Sequence, residues 1–274
     1  MTDPTEATTP SKADDLWRLY LSGEQGTQKM RELMRHIPAS PRCKMCAAPF
    51  GKPGGLALRY LGYGPWQPNA SICKVCIRSI QTLVGGTEVE ISILFADIRD
   101  STAVAERISA AEFGRVLNRF YGVASKAIDH AGGIVDKFVG DGVIALFIPG
   151  FIGPQHAEHA IAAGRGLQAA LMHAGSGLTQ LPIGIGVHTG VAYVGVVGGG
   201  EQQLDFTALG DPVNTTARLS SVAGPGELLV SADAAAAGHL ATDGLEQRHL
   251  ELKGRTEPVD AWVIHDQQVG SRMT

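Results

Sequence analysis

Two carboxylates in this chain sit where apolar runs end and a ligand can reach them. Asp97 follows the run from Val89 to Ala96, and Asp141 occupies the Gly140-Asp141-Gly142 connection between apolar runs at 134–139 and 143–147. Hard divalent ions such as Mg2+ or Mn2+ take carboxylate oxygens, and a pair of them can activate an attacking hydroxyl and neutralise a leaving pyrophosphate. Lys137, Arg218 and Lys253 supply the complementary positive charge. Asn214 and Arg218, spaced i, i+4, stack on one face of a helix. Alone, each is a solvated Asp on a surface hairpin or an exposed pair on a helix; together they imply nucleoside triphosphate chemistry. No Walker loop is involved, because Gly198-Gly199-Gly200 lacks the downstream Lys-Ser/Thr and the helix start.

All four cysteines fall in one stretch, as Cys43-x-x-Cys46 and Cys73-x-x-Cys76. In a reducing compartment such knuckles favour metal thiolates over disulfides. The first pair reads as a turn before Pro49-Phe50-Gly51, and the second runs into the helix start Ile77-Arg78-Ser79-Ile80, which resembles treble-clef zinc fingers. So short a segment buries too little apolar surface to fold alone, and a structural zinc contributes on the order of 10 kcal/mol of folding free energy. One structural Zn2+ at Cys43, Cys46, Cys73 and Cys76 is expected, ahead of iron or an iron–sulfur cluster, with dithiol redox sensing a minor alternative.

The elements that must position these groups alternate between strand and helix. Val89, Ile91, Ile93 and Phe95 alternate along a strand that delivers Asp97. Asp100 or Ser101 then caps a helix, so that the amides from Arg99 to Thr102 offer a phosphate seat, and a long helical pattern runs through Phe113, Phe120 and Ile128 to Gly132-Gly133. The hairpin about Asp141 follows. His156 and His159 open a helix over 155–175; they are expected to be exposed, and no third metal ligand is near them in sequence. Ile183, Ile185 and Val187 mark a strand, His188-Thr189-Gly190 a turn, and Val191 to Val197 the return strand. Asp211 at the N-cap and Pro212 at the first helical position start the helix of Asn214 and Arg218. Closing strands are expected at 227–230, 250–253 and 259–264, with Lys253-Gly254-Arg255 a turn.

Upstream, two short helices starting near Ser11 and Thr27 are expected to use Leu16, Leu19 and Tyr20, and Met30, Leu33 and Met34, as their apolar stripes. The pattern predicts an α+β sandwich, helices covering a mixed sheet. Residues 1–10 form a disordered tail, 11–38 a helical segment, 39–82 the four-cysteine module and 268–274 a second tail.

With 274 residues, 44% of them hydrophobic, the chain can bury a full core. A net charge of −4 gives no basic field for nucleic acid or anionic lipid. No apolar run approaches the roughly 18 residues of a membrane span, and the N-terminus lacks signal-peptide regions. The default compartment is the cytoplasm.

Four ordered motifs, Phe95-Ala-Asp97-Ile98, Lys137-Phe-Val-Gly-Asp141, Gly186-Val-His-Thr-Gly190 and Leu209-Gly-Asp-Pro-Val-Asn214-Thr-Thr-Ala-Arg218, resemble the class III adenylate/guanylate cyclase catalytic domain. The resemblance covers residues 87–267 and implies that domain's ferredoxin-like sandwich. It implies further that Asp97 and Asp141 bind two Mg2+ or Mn2+ ions per site, with the Ile98 carbonyl as an additional ligand. Lys137 and Thr207 would select the purine, Asn214 and Arg218 orient the ribose and meet transition-state charge, and Lys253 or Arg255 reach the terminal phosphates. Lys137 stands where guanylate cyclases typically carry Glu, which favours ATP, and Thr207 resembles a bacterial subclass often stimulated by bicarbonate. One departure is Arg99-Asp100-Ser101, where many members have a small residue and an aromatic.

The family places the aspartates on one protomer and the Lys, Thr, Asn and Arg on the other, so a head-to-tail homodimer with two shared sites is implied. There the ribose 3′-oxygen attacks the α-phosphorus in line and pyrophosphate leaves, giving cyclic AMP. Regulation through the N-terminal helices and cysteine module would follow from the sensitivity of a composite site to small rotations. The alternatives are a guanylate or other nucleotide cyclase, a nucleotide-binding relic, or a metal- or redox-responsive adaptor. A diguanylate cyclase is disfavoured by the missing Gly-Gly-Asp/Glu-Glu-Phe signature.

Overall fold

Near-continuous apolar runs such as those at 143–147 and 228–230 dictate strands buried on both faces, and the computed structural model shows them in one sheet. It describes residues 12–23, 28–66, 70–81, 85–172, 181–198, 204–253, 255 and 257–265. Both expected tails, the Thr27 cap, residues 82–84, Gly199-Gly200 and Gly254 lie outside the described residues. In order come α1 (Lys12–Ser22), α2 (Gln28–Arg35), α3 (Gly54–Tyr60), α4 (Lys74–Gln81), β1 (Gly85–Ile98), α5 (Ser101–Arg107), α6 (Ala110–His130), β2 (Ile134–Val139) and β3 (Gly142–Phe147). Then follow α7 (Pro149–Ile152), α8 (His156–Met172), β4 (Ile183–Gly198), β5 (Leu204–Leu209), α9 (Asp211–Val222), β6 (Glu227–Ser231), α10 (Ala232–Ala237), β7 (Glu246–Leu250) and β8 (Val259–His265). The strand order is β2-β3-β1-β4-β6-β8-β7, with β5 paired to β4 off this path. β4 and β6 are parallel whereas β1/β3, β2/β3, β6/β8 and β7/β8 are antiparallel, so the sheet is mixed, as expected.

Contacts divide the chain into two units, residues 90–192 with 208–274, and residues 1–89 with 193–207. In the larger unit, Leu228 and Val230 join Phe120, Ala124, Ile128 and Leu167 in one core, while Leu229 joins Leu219 and Val263 in another. Alternate residues of β6 thus serve opposite faces. In the smaller unit α1 buries Trp17 and Leu21 and leaves Leu16 exposed, so its inward face differs from the Leu16, Leu19, Tyr20 stripe. α2 buries Met34 and the guanidinium-bearing Arg31, with Met30 and Leu33 outside.

Four other expectations are corrected. The helical pattern after Asp97 is two helices: a capping box at Ser109, whose Oγ accepts from the Glu112 amide while Glu112 accepts from the Ser109 amide, restarts the chain as α6. β4 runs without a turn through His188-Thr189-Gly190, because these polar side chains are buried with partners. His188 Nδ1 is 2.8 Å from Ser231 Oγ; Thr189 Oγ1 and His156 Nδ1 flank Ser92 Oγ at 2.6 and 2.9 Å. His156 is accordingly a buried core residue, not an exposed one. Finally, β7 spans Glu246–Leu250 and meets the segment expected near 250–253 only at Leu250.

Burial lowers the pKa of both histidines, against the opposing carboxylates Glu90 at His156 and Asp233 at His188. On acidification the unfolded chain therefore takes up these protons first. The stability held by the neutral rings is complete above the ordinary histidine value of 6.5 and is lost as pH falls below it toward the lowered folded values, at about 1.4 kcal/mol per histidine per pH unit. Thermal melts at several pH values check this: the midpoint should drop from neutral to mildly acidic pH, and less steeply in His156→Gln. A drop of equal slope in that variant would show that His156 is not protonated on unfolding.

Candidate active site and thiolate cluster

The tight turn between β2 and β3 follows from Gly140, whose φ of 58° is left-handed. Tyr121 reinforces it by donating its hydroxyl proton to the Gly140 carbonyl and stacking on Phe138, with ring centroids 4.2 Å apart. In the β1/β3 register Asp97 lies opposite Gly142, and the Ile98 amide donates to the Asp141 carbonyl at 3.2 Å. Two carboxylates distant in sequence thus become cross-strand neighbours. A β-bulge at Asp136 shifts Lys137 opposite Ile144, where its ammonium lies 3.8 Å from the Asp136 carboxylate.

Asp97 Oδ1 is buried, and the Arg99 guanidinium meets it as an ion pair. Asp97 faces the turn that carries a second carboxylate, and two acidic residues brought together across strands suit a hard divalent cation, with Arg99 sharing the Asp97 carboxylate. Arg99 is held by the Ser221 and Ala223 carbonyls, at 2.9 and 3.4 Å, at the end of α9. Gly184 leaves it room, since a Cβ there would lie 2.9 Å from Arg99 Nε. Burial lowers the Arg99 pKa, while Asp141 and Asp100 raise it. The Arg99 amide donates to the Pro182 carbonyl at 2.6 Å, so it takes no part in a phosphate seat. Asp100 at the start of α5 is left-handed and makes no side-chain cap, and Thr102 is exposed.

α9 starts one residue earlier than expected, with Gly210 (φ 121°) at the N-cap and Asp211 and Pro212 inside the first turn. Asn214 is exposed and Arg218 half-buried on its outer side. Its inner side packs directly on β4: a Cβ at Gly186 would come within 2.5 Å of the Ser220 amide nitrogen, so only glycine allows this approach. Arg255 donates to Asp211 Oδ2 and Thr215 Oγ1, both at 2.5 Å, which commits it to α9 and leaves the exposed Lys253 as the available cation of that turn. Thr207, in the smaller unit, is buried on β5 between Phe206 and Ala208.

In the smaller unit the sulfur atoms of Cys43, Cys46, Cys73 and Cys76 all lie within 4.8 Å of one another. The first pair sits on a turn in which the Cys43 amide donates to Ala48 and Ala47 is left-handed, the second at the start of α4. The Cys73 amide donates to Cys43 Sγ and the Cys76 amide to Cys73 Sγ, both at 3.3 Å. Hydrogen bonds from its three neighbours pull the Cys43 thiol down, and the same crowding with burial pushes Cys76 up. Four converging soft donors with amide support suit a tetrahedral thiophilic ion. Sequence reasoning missed Arg31 and Arg42 here. Arg31 donates to the Lys44 and Met45 carbonyls, and Arg42 to those of Met34 and Ala47, tying α2 to the first knuckle.

The fold of the mixed sheet and its helices is the α+β sandwich of class III nucleotide cyclases. The chain belongs to the adenylate and guanylate cyclase catalytic domain family, whose model matches residues 86–266. It is 34% identical over 166 residues to an adenylate cyclase of Anabaena cylindrica, covering 57% of this chain and 32% of that protein. An uncharacterized protein of Mycobacterium tuberculosis is 34% identical over 181 residues, 64% of this chain and 32% of its own length. The chain thus spans about a third of these relatives. Among solved structures, the guanylyl cyclase Cya2 aligns with a TM-score of 0.61 and 32% identity over 66% of this chain and 93% of its own. The adenylyl cyclase CyaB from P. aeruginosa aligns with 0.56 and 28% over 65% and 94%. No described helix is long and apolar enough to cross a membrane.

Proposed function

We propose that this protein is an adenylate cyclase of the Thr-type bacterial subclass, converting ATP to 3′,5′-cyclic AMP and pyrophosphate in the cytoplasm as a homodimer with shared sites. The observation that carries the reading is the cross-strand placement of Asp97, opposite Gly142 in the β1/β3 register, beside Asp141. Asp97, Asp141 and the Ile98 carbonyl would hold two Mg2+ or Mn2+ ions, which when bound supply activation of the 3′-hydroxyl and charge for the leaving pyrophosphate. Lys137 and Thr207 bind the adenine edge, Asn214 orients the ribose, and Arg218 donates to the α-phosphoryl oxygens as charge develops there. Lys253 meets the terminal phosphates, with Thr102 at the edge of the seat. The catalytic domain occupies 87–267. The segment 11–38 and the module at 39–82, with zinc at its four cysteines, regulate it by setting the geometry between protomers.

Incubation of the full chain with ATP, GTP, CTP and UTP and Mg2+ or Mn2+, with product identification, tests this. Cyclic AMP from ATP as the dominant product is expected, and cyclic GMP as the dominant product would replace the adenylate reading. The guanylate alternative draws its support from the 32% identity to a protein described as a guanylyl cyclase.

A further inference from the structure

β5 pairs with β4 and stands off the main path of the sheet. Its Phe206 and Thr207 are consecutive in a strand and point to opposite faces. On the Phe206 side lies α1. The Trp17 ring stacks on Phe206 with centroids 6.3 Å apart and planes at 15°, and Trp17 and Phe206 are 1% and 7% exposed. The same helix face reaches the neighbouring strand, where burial, and then the charge of Asp14, raise the pKa of Tyr193 on β4. One turn further Leu21 is fully buried, and Trp17 Nε1 lies 3.9 Å from where a Cβ on Gly85 would stand, at the start of β1. Asp14, Trp17 and Leu21 recur at i, i+3 and i+7, a single helical face.

The register of a strand is set by the side chains its faces bury, and a slip by one residue exchanges its two faces. In β5 that exchange would turn Thr207 to the side now filled by Phe206. A large ring seated against Phe206 opposes it. We propose that Trp17 is a positioning residue: by packing on Phe206 it fixes the register and depth of β5, and with them the placement of Thr207 and the choice of purine nucleoside triphosphate. This rests on the reading of Thr207 as a base-selecting residue. It gives the segment before the cysteine module a direct role in nucleotide selection, separate from any effect on dimer geometry.

The test measures kcat and KM for ATP and GTP in full-length wild type, Trp17→Ala, Trp17→Phe, Phe206→Leu and Thr207→Ala, together with hydrogen exchange of the β5 amides. Phe206→Leu removes the stack from the other side while keeping an apolar side chain, and covers the case in which Trp17→Ala does not fold. The expected result is faster exchange in β5 and a loss of about tenfold in the kcat/KM preference for ATP over GTP in Trp17→Ala and Phe206→Leu, mostly through KM, with near-wild-type values in Trp17→Phe. If Thr207→Ala shifts the preference but neither stack variant does, and β5 exchange is unchanged, the proposal is overturned. If Thr207→Ala is silent, the base-selecting role of Thr207 fails. In that case a shifted preference with faster β5 exchange in the stack variants still assigns positioning to Trp17, and silence in them removes it.

Discussion

Asp97→Ala and Asp141→Asn are each expected to reduce cyclic nucleotide formation by at least about 10³-fold, the scale on which several kcal/mol of transition-state charge stabilisation is lost. The two residues are neighbours through the β1/β3 register, so under the proposed two-metal reading either change would remove a carboxylate ligand from the same metal site. Asp141→Asn is nearly isosteric and leaves the Gly140 and Gly142 turn undisturbed, so its defect isolates charge from shape. Arg218→Ala, which removes a single placed donor, is expected to cost about 10²-fold to 10³-fold. Mixing an inactive Asp97 variant with Arg218→Ala discriminates how the sites are built. If aspartates and arginine come from different protomers, a mixed dimer contains one site with neither mutation, and activity returns to a fraction of wild type. Activity no higher than that of the separate variants would rule out sites shared between protomers. Mn2+ titration of the same proteins by calorimetry gives a check independent of turnover: the aspartate variants should bind more weakly, and Arg218→Ala should not.

What was legible in the sequence, and what was not, divides by the range of the interactions involved. The Asp141 hairpin could be read because its information is local: apolar runs on both sides and a glycine that takes the φ of 58° the turn needs. The thiolate cluster was legible for the same reason, since each C-x-x-C pair carries its own turn or helix start. β4 was misread at His188-Thr189-Gly190, because its continuation depends on Ser231 and Ser92, which lie far away in sequence and make those polar groups compatible with a buried strand. The inward face of α1 was misread for a similar reason: its partner, Phe206, belongs to a strand near the other end of the chain. The restart of the helix at Ser109-Ala-Ala-Glu112, by contrast, is a local capping box that the sequence displays openly.

Arg99 marks the limit of motif reading within the candidate site. As a residue type it is a departure beside the first aspartate, with no assigned task. In the fold it bridges the Asp97 carboxylate to the carbonyl end of the helix that carries Asn214 and Arg218. Only the packing of α9 against β4, which needs Gly184 and Gly186, brings those carbonyls within its reach. Burial lowers its pKa, and the charges of Asp141 and Asp100 and the two carbonyl acceptors counter part of that cost.

Replacing Cys73 by Ser, or stripping metal with a strong chelator, is expected to unfold the module between Arg42 and Gln81 while the sheet of the larger unit stays folded. The physical ground is scale: a structural zinc contributes on the order of 10 kcal/mol, comparable to the entire stability of an ordinary domain. The module's other supports are few. Its backbone offers isolated bridges at Arg42–Pro49 and Pro65–Cys73 and two short helices, α3 and α4, around a small apolar set of Met45, Ala48, Ile72 and Ile77. Loss should also reach α2, because Arg31 and Arg42 bond it to the first knuckle through backbone carbonyls whose positions the metal site would hold. Elemental analysis of the full chain should find one zinc per polypeptide in wild type and little in the variant, and hydrogen exchange should show coincident loss of protection in α2 and α4. Visible thiolate-to-iron absorption in the wild type would reassign the metal. A variant that loses the metal yet keeps protection in both helices would show that packing alone holds the four cysteines together.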